Sequence, residues 1–185
     1  QGPRQRGPAR QGGQEGQGRL TDVTARVLLI EVSLLDGRWH GVGDWPPSPF
    51  RLFQALVAGA YGGRWVAEDC AEKDAAFRWL ERLTPPAIAT PPRAPTRAVT
   101  YYVPNNDLDA VGGDPRRVAA VRTAKEVAPA LLGRGAMFAY VWSFDDGLPH
   151  AEHLCAYAER LHTFGRGVDA AFARALMTIE GRLGV

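Results

Sequence analysis

Of the four histidines in the chain, His40 has the surroundings best suited to chemistry. It lies in Gly37–Trp45, GRWHGVGDW, where Gly37, Gly41 and Gly43 allow a backbone to approach a ligand closely. An imidazole gives or takes a proton near neutral pH. Arg38 and Arg51 flank it and suit a phosphate, or charge developing on one. Trp39 and Trp45 can stack on a base. The same residue types also make a hydrophobic plug at the entry to a helix, and these residues alone leave both readings open.

A second cluster suits phosphate. Arg116, Arg117, Arg122 and Lys125 are opposed over residues 115–126 only by Glu126. They read as an RNA-backbone patch or as a solvated face. Metal readings fare worse. Asp107, Asp109 and Asp114 suggest a calcium loop, but Val111 and Val118 occupy positions where ligands belong. His150 and His153, one helical turn apart, lack a third zinc ligand. His162 borders an apolar stripe and reads as a packed or half-exposed helical residue. No phosphate-binding Walker loop, HExxH, CxxC or GxSxG is present, and no cofactor or metal is expected.

The elements that position these groups belong to one domain. The chain has 185 residues, 45% hydrophobic and 23% charged, a globular balance. The net charge of +2 resides in Arg4, Arg6 and Arg10 against Glu15, so the body is neutral and overall charge is no argument for nucleic acid. Of the 22 basic residues only Lys73 and Lys125 are Lys; Arg suits phosphate and base edges, and a GC-rich genome gives the same bias. No apolar run of about 18 residues exists, so no membrane span and a cytoplasmic location are expected. Cys70 and Cys155 are expected as buried free thiols in two helices. Residues 1–24, rich in Gln, Gly and Arg, are expected to form a disordered tail, and residues 25–185 the folded module. Gln1 in place of an initiating Met suits a fragment or processed product.

Val27–Leu35 reads as a buried strand and Asp36-Gly37 as its turn. Ser48 caps a helix from Pro49 to about Tyr61, with Phe50, Phe53, Val57 and Ala60 as its apolar stripe. A second helix covers Cys70–Leu83, burying Ala76, Trp79, Leu80 and Leu83. Five prolines make residues 85–95 an extended connector rather than a central strand. Thr96–Val103 and Ala136–Phe144 read as strands, with a long turn-rich loop after the first. A third helix runs from about His150 to Thr163, and VDAAFARALM is ambiguous between helix and strand. The order is a split β-α-β pattern. It fits an α+β ferredoxin-like, RRM-like β-α-β-β-α-β sandwich with an extra helix and a long loop insertion.

The segment DGRWHGVGDWPPSPFRLFQALVAGAYGG resembles the N-terminal signature of the fused CRISPR-associated Cas Five/Cas Six subunit of type I-U systems, also called type I-G. TYYVPNNDLDAVGGDPRR with RTAK, FAYVWSF and HTFGRGVDAAFA follow in the expected order, so the resemblance covers roughly residues 26–180. It implies a repeat-associated RNA-binding protein of ferredoxin-like modules. Such a protein cuts precursor CRISPR RNA without a metal, the 2′-hydroxyl attacking the adjacent phosphate, and then holds the guide in an effector complex. It also implies CRISPR RNA and the other effector subunits as partners, and a second RNA-binding module beyond this chain, which then corresponds to the N-terminal part. On that reading His40 is the candidate proton carrier. Arg38, Trp45, Arg51, Arg116, Arg117, Arg122 and Lys125 are candidate RNA contacts. The alternative is a non-catalytic module that clamps the guide and docks on its neighbours.

Overall fold

Leu28, Ile30 and Val32 are fully buried along β1 (Arg26–Leu34), the spine of the structure. A computed structural model describes residues 25–41, 45–104, 112–133 and 135–179; the expected tail lies outside them. β1 alternates because one sheet face packs on helices while Leu29, Glu31 and Ser33 point the other way and are half-buried. Each fully buried aliphatic side chain contributes about 1.5–3 kcal/mol, so this row anchors the sheet.

β1 has two antiparallel neighbours. Ile30 stands opposite Tyr140 of β8 (Met137–Phe144) and opposite Ala175 of β9 (Ala171–Ile179). The short β3 (Ala87–Ala89) pairs with the far side of β8, giving the order β3-β8-β1-β9. The prolines around β3 are tolerated because it is an edge strand. The ambiguous C-terminal segment is therefore a strand. Its alanines face the helices, where Ala171 and Ala173 are buried, and Phe172, Arg174 and Leu176 are exposed.

Three helices cover one face. α1 (Pro49–Tyr61) starts where the sequence predicts, with the Ser48 hydroxyl accepting from the Arg51 N–H and Pro49 in the first turn. Its buried face differs from the expected stripe. Leu52, Leu56, Gly59 and Ala60 are buried and Phe50 is 66% exposed, stacked on Phe53. Gly59 decides the rotation, since a Cβ there would sit 2.7 Å from the Arg160 carbonyl oxygen. Only the face that carries Gly59 can approach the end of α3 (Leu148–Ala158) so closely. α3 ends well before Thr163, which leaves His162 exposed in the following loop.

α2 (Cys70–Arg82) buries Ala76, Phe77 and Leu80, with Trp79 and Leu83 half-buried. It also buries Lys73, only 1% exposed, whose Nζ donates to the Trp65 carbonyl at 2.5 Å and lies 3.6 Å from Glu68. Arg160 donates to Glu68 at 2.5 and 3.2 Å and stacks on Trp65. The bond from Arg160 holds the Glu68 carboxyl below the usual carboxylate range. These contacts pin the 3-10 turn Gly63–Ala67 beneath α2.

The expected turn-rich loop after Val103, with Asp107 and Asp109, falls mostly on residues 105–111, outside the described residues; short strands on either side of it build further β-structure. β2 (Arg38–Trp39), β4 (Arg93–Ala94) and β7 (Ala130–Leu132) form a second sheet in the order β2-β7-β4. Beyond it, β5 (Val99–Pro104) and β6 (Arg122–Val127) pair only with each other, among the described residues. The two pairings belong to one ribbon: Ala94 opposes Leu131 and Val99 opposes Val127, so the first strand carries one extra residue between them. Thr96 Oγ1 donates to the Pro129 carbonyl at 2.5 Å inside this break. A 3-10 turn, Pro115–Val121, leads into β6.

The fold is thus α+β with antiparallel sheets. No helix among the described residues is long and apolar enough to cross a membrane. Both thiols are free, but only Cys155 is sheltered; Cys70 is exposed at the start of α2 rather than buried. Burial pushes the Cys155 thiol up, helped by the negative charges of Glu159 and Glu152. Thiolate is the reacting form, so iodoacetamide at pH 8 should label Cys70 several-fold faster than Cys155, read by peptide mass spectrometry. Equal rates would contradict the placement of α2 and α3.

Candidate functional site

Asp169 is 1% exposed, and its carboxylate is the most densely bonded side chain in the loops around His40. Oδ1 accepts from the His40 backbone N–H at 3.0 Å and faces His40 Nδ1 at 2.7 Å. Oδ2 accepts from the Arg166 N–H at 2.9 Å. A buried carboxylate persists only when donors replace its lost water, and these three supply them. The loop after β2 is thereby joined to the loop between α3 and β9.

Two further contacts close the joint. Arg51 of α1 donates from Nη1 to the Gly165 carbonyl at 3.3 Å, and its guanidinium lies 6.0 Å over the Trp39 ring. Trp39 is 6% exposed, packed on Phe138 and Phe164. It is therefore a core residue and unavailable for stacking on a base; the apolar cluster beneath the sheet end claims it. Gly165 adopts φ +112°, and a Cβ on it would come within 2.6 Å of both Asp169 Oδ2 and the Trp39 ring.

The His40 side chain is 17% exposed. Its Nδ1 meets Asp169, whereas Nε2 has no hydrogen-bond partner among the described residues. The ring is thereby anchored through one nitrogen. A cleft of about 170 Å³ is lined by Arg51 and Gln54 of α1 and by Thr163, Gly165, Arg166 and Gly167 of the loop that carries Asp169. Such a polar, arginine-edged cleft suits an anion.

Arg38 is exposed on β2, its backbone N–H bonded to Asp36. Trp45 is half-buried, edge-on to Phe138 at 5.5 Å, with the Arg93 guanidinium 4.7 Å over its ring. A base can reach that ring face only by displacing Arg93. Arg116 is held by Asp114 through Nε and Nη2 at 3.0 and 3.2 Å, and the pairing keeps the Asp114 carboxyl below its ordinary range. Arg117 follows it in the 3-10 turn, exposed. Arg122 and Lys125 are exposed on β6.

The ribbon β5–β6 adds residues that charge-reading missed. Tyr101 stands directly opposite Lys125 on one face. Tyr102 stands opposite Ala124 on the other face, two residues along β6 from Arg122 and two from Glu126. Both tyrosines are more than half exposed, at 53% and 67%. β7 links the two regions: Trp39 pairs with Ala130, five residues beyond Lys125. At about 3.3 Å per residue, Lys125 lies at most roughly 17 Å along the chain from that pairing. The tyrosines were visible in TYYV, though only as strand residues. Asp169 had one signal: a lone acid among Val168, Ala170 and Ala171, just after two glycines. No group of His, Cys, Asp and Glu able to hold a metal occurs among the described residues.

A family model described as CRISPR-associated protein, GSU0054 family, matches residues 14–168. No curated protein matches the sequence significantly. A crystal structure of a CRISPR protein from Archaeoglobus fulgidus superposes with a TM-score of 0.44 at 8% identity. The superposition covers 82% of this chain and 63% of that one, so this chain spans less than two thirds of that protein's length.

The joint around Asp169 makes a paired prediction. Gly165→Ala should cost about 1–3 kcal/mol, because the added Cβ collides with Asp169 and Trp39 at a backbone angle that disfavours it. Gly167→Ala, with nothing within 4 Å of the new methyl, should be close to neutral. Urea unfolding of the two variants measures the difference; equal stability would show that the loop is not locked on Asp169.

Proposed function

The chain belongs to the CRISPR-associated GSU0054 family, and on that footing we propose that it binds CRISPR RNA and processes its precursor within an effector complex of the type I-U (I-G) class. In this reading the chain supplies the N-terminal part of a fused Cas Five/Cas Six subunit, with the other effector subunits as partners. The four-stranded sheet is read as a ferredoxin-like, RRM-like module. That reading rests on the order β3-β8-β1-β9, with helices following β1 and β8.

The observation that carries RNA binding is the β5–β6 ribbon. It is exposed on both faces and joined to no third strand among the described residues. Two strands alone are marginal in water, so such a ribbon gains order from a ligand. Aromatic rings and cations on both faces suit single-stranded RNA, whose bases stack and whose phosphates pair with Arg and Lys. Arg122 and Lys125 take the backbone, Tyr101 and Tyr102 take bases, and Arg116 and Arg117 extend the patch toward the ribbon tip. Arg38, Arg51 and Trp45 continue the surface toward His40.

A distinct observation favours cleavage as well as clamping. His40 is anchored through Nδ1 by a buried carboxylate, its Nε2 has no hydrogen-bond partner among the described residues, and the same carboxylate is held by Arg166, which lines the arginine-edged cleft. Nε2 takes the proton of an RNA 2′-hydroxyl while the 2′ oxygen bonds to phosphorus and the 5′ oxygen leaves. The leaving oxygen gains a proton from water, and the imidazolium returns its proton to the hydroxide so formed. The products are a 2′,3′-cyclic phosphate and a 5′-hydroxyl. A non-catalytic clamp is the reading that remains if His40 has no effect on RNA.

Filter binding of labelled repeat RNA across a salt series tests the ribbon. Replacing Arg122 and Lys125 together by Ala should weaken binding and flatten the log–log salt slope by about 1.4, at roughly 0.7 per phosphate contact on single strands. Tyr102→Ala should cost about 1–3 kcal/mol with the slope unchanged. Unchanged affinity in both variants would remove the ribbon from the interface.

A further inference from the structure

We infer that Asp169 is the positioning residue for His40: it fixes the ring as the Nδ1–H tautomer, so that Nε2 carries the lone pair that accepts the substrate proton. The inference rests on the cleavage reading above and adds to it a residue that sequence motifs and charge clusters do not single out.

The chemistry of the carboxylate sets the direction of the hydrogen bond. Oδ1 of an ionised carboxylate only accepts, so Nδ1 at 2.7 Å must carry the hydrogen. The neutral ring then has no hydrogen on Nε2. A carboxylate with no exposed side-chain surface cannot drift from this arrangement. Its two oxygens are tied to the backbone on either side, by His40 N–H and Arg166 N–H, so rotating the carboxylate would break bonds at both ends. Three further features hold the same residue in place. Gly165 has no side chain where one would strike Oδ2; the Asp169 N–H donates to the Arg166 carbonyl at 2.9 Å; and the Phe164 N–H donates to the Asp169 carbonyl at 2.9 Å.

A stitch that merely joined two loops would need the backbone bonds and not the ring. The ring bond is the shortest of the set, and the carboxylate that makes it is also held by Arg166, a residue that lines the arginine-edged cleft. Asp169 itself touches no substrate in this account. It acts by orienting His40 and by stabilising the imidazolium formed when Nε2 takes the proton.

The test uses the 185-residue chain, ¹⁵N-labelled at histidine, and end-labelled CRISPR repeat RNA. Long-range ¹H–¹⁵N spectra, with His40 assigned by its loss in His40→Gln, should show a single Nδ1–H tautomer in the wild type. In the nearly isosteric Asp169→Asn the tautomers should mix. Cleavage should fall by about 10²–10⁴-fold in kcat, the usual contribution of a placed proton carrier, with RNA affinity held within about twofold. An Nε2–H ring in the wild type overturns the inference, and that reading stands even if Asp169→Asn does not fold. Full cleavage by a folded Asp169→Asn chain also overturns it while leaving RNA processing intact. A wild-type chain that binds RNA with an Nδ1–H His40 and never cuts overturns the cleavage reading itself, and with it any role for Asp169 beyond joining the loops.

Discussion

One buried carboxylate sets the geometry of everything around it. Asp169 loses its water in the fold and regains hydrogen bonds from His40 N–H, the His40 ring and Arg166 N–H. Removing any one donor leaves a buried charge short of a partner, at a cost of about 1–3 kcal/mol or more. The loop after β2 and the loop before β9 are therefore held at one separation. β2 follows from that: held at His40, its two residues reach β7 and start the second sheet.

The apolar side of the same joint is a ring cluster. Trp39, Phe138 and Phe164 meet at centroid distances of 5.2–5.7 Å in tilted and edge-on pairs. Trp45 adds a further edge on Phe138. Tyr140 closes the base of the cluster, donating its hydroxyl to the Pro47 carbonyl at 2.8 Å, and burial pushes that phenol above its usual range. Wide rings at the end of β8 thus convert one sheet end into a platform for two glycine-containing loops. Glycine is needed where the rings come close: a side chain at Gly41 would overlap Trp39, and one at Gly165 would meet Trp39 and Asp169. The ribbon β5–β6 continues from the second sheet, so β7 links its cations and tyrosines along the chain to the His40 loop.

How far the sequence reveals this depends on the range of each interaction. α1 is legible to the residue because Ser48, Pro49 and the Gly62-Gly63 pair act locally. Its buried face is not, because Phe50 and Leu52 are equally apolar and only the close pass of Gly59 against Arg160 chooses between them. β1 and β8 announce themselves by dense β-branched and aromatic residues, while β9 carries helix-favouring alanines and becomes a strand by pairing with all of β1. β2, β4 and β7 are two or three residues long, and nothing in so short a stretch signals pairing with a distant strand. His40 was legible as a candidate from its glycine-rich loop. Its partner was not, since Asp169 lies 129 residues away and reads as an ordinary turn acid. Trp39 misled for a related reason: a tryptophan beside a candidate base looks like a stacking platform until the core that claims it is in view.

The account stands or falls on whether the anchored imidazole moves protons on RNA. The direct measurement is incubation of end-labelled CRISPR repeat RNA with the chain in EDTA, with products resolved on a sequencing gel and their termini identified. The account predicts one cut per repeat, ending in a 2′,3′-cyclic phosphate and a 5′-hydroxyl, and lost in His40→Ala while binding persists. RNA that is bound but left intact, or cut equally well by His40→Ala, would contradict it and leave the chain a clamp.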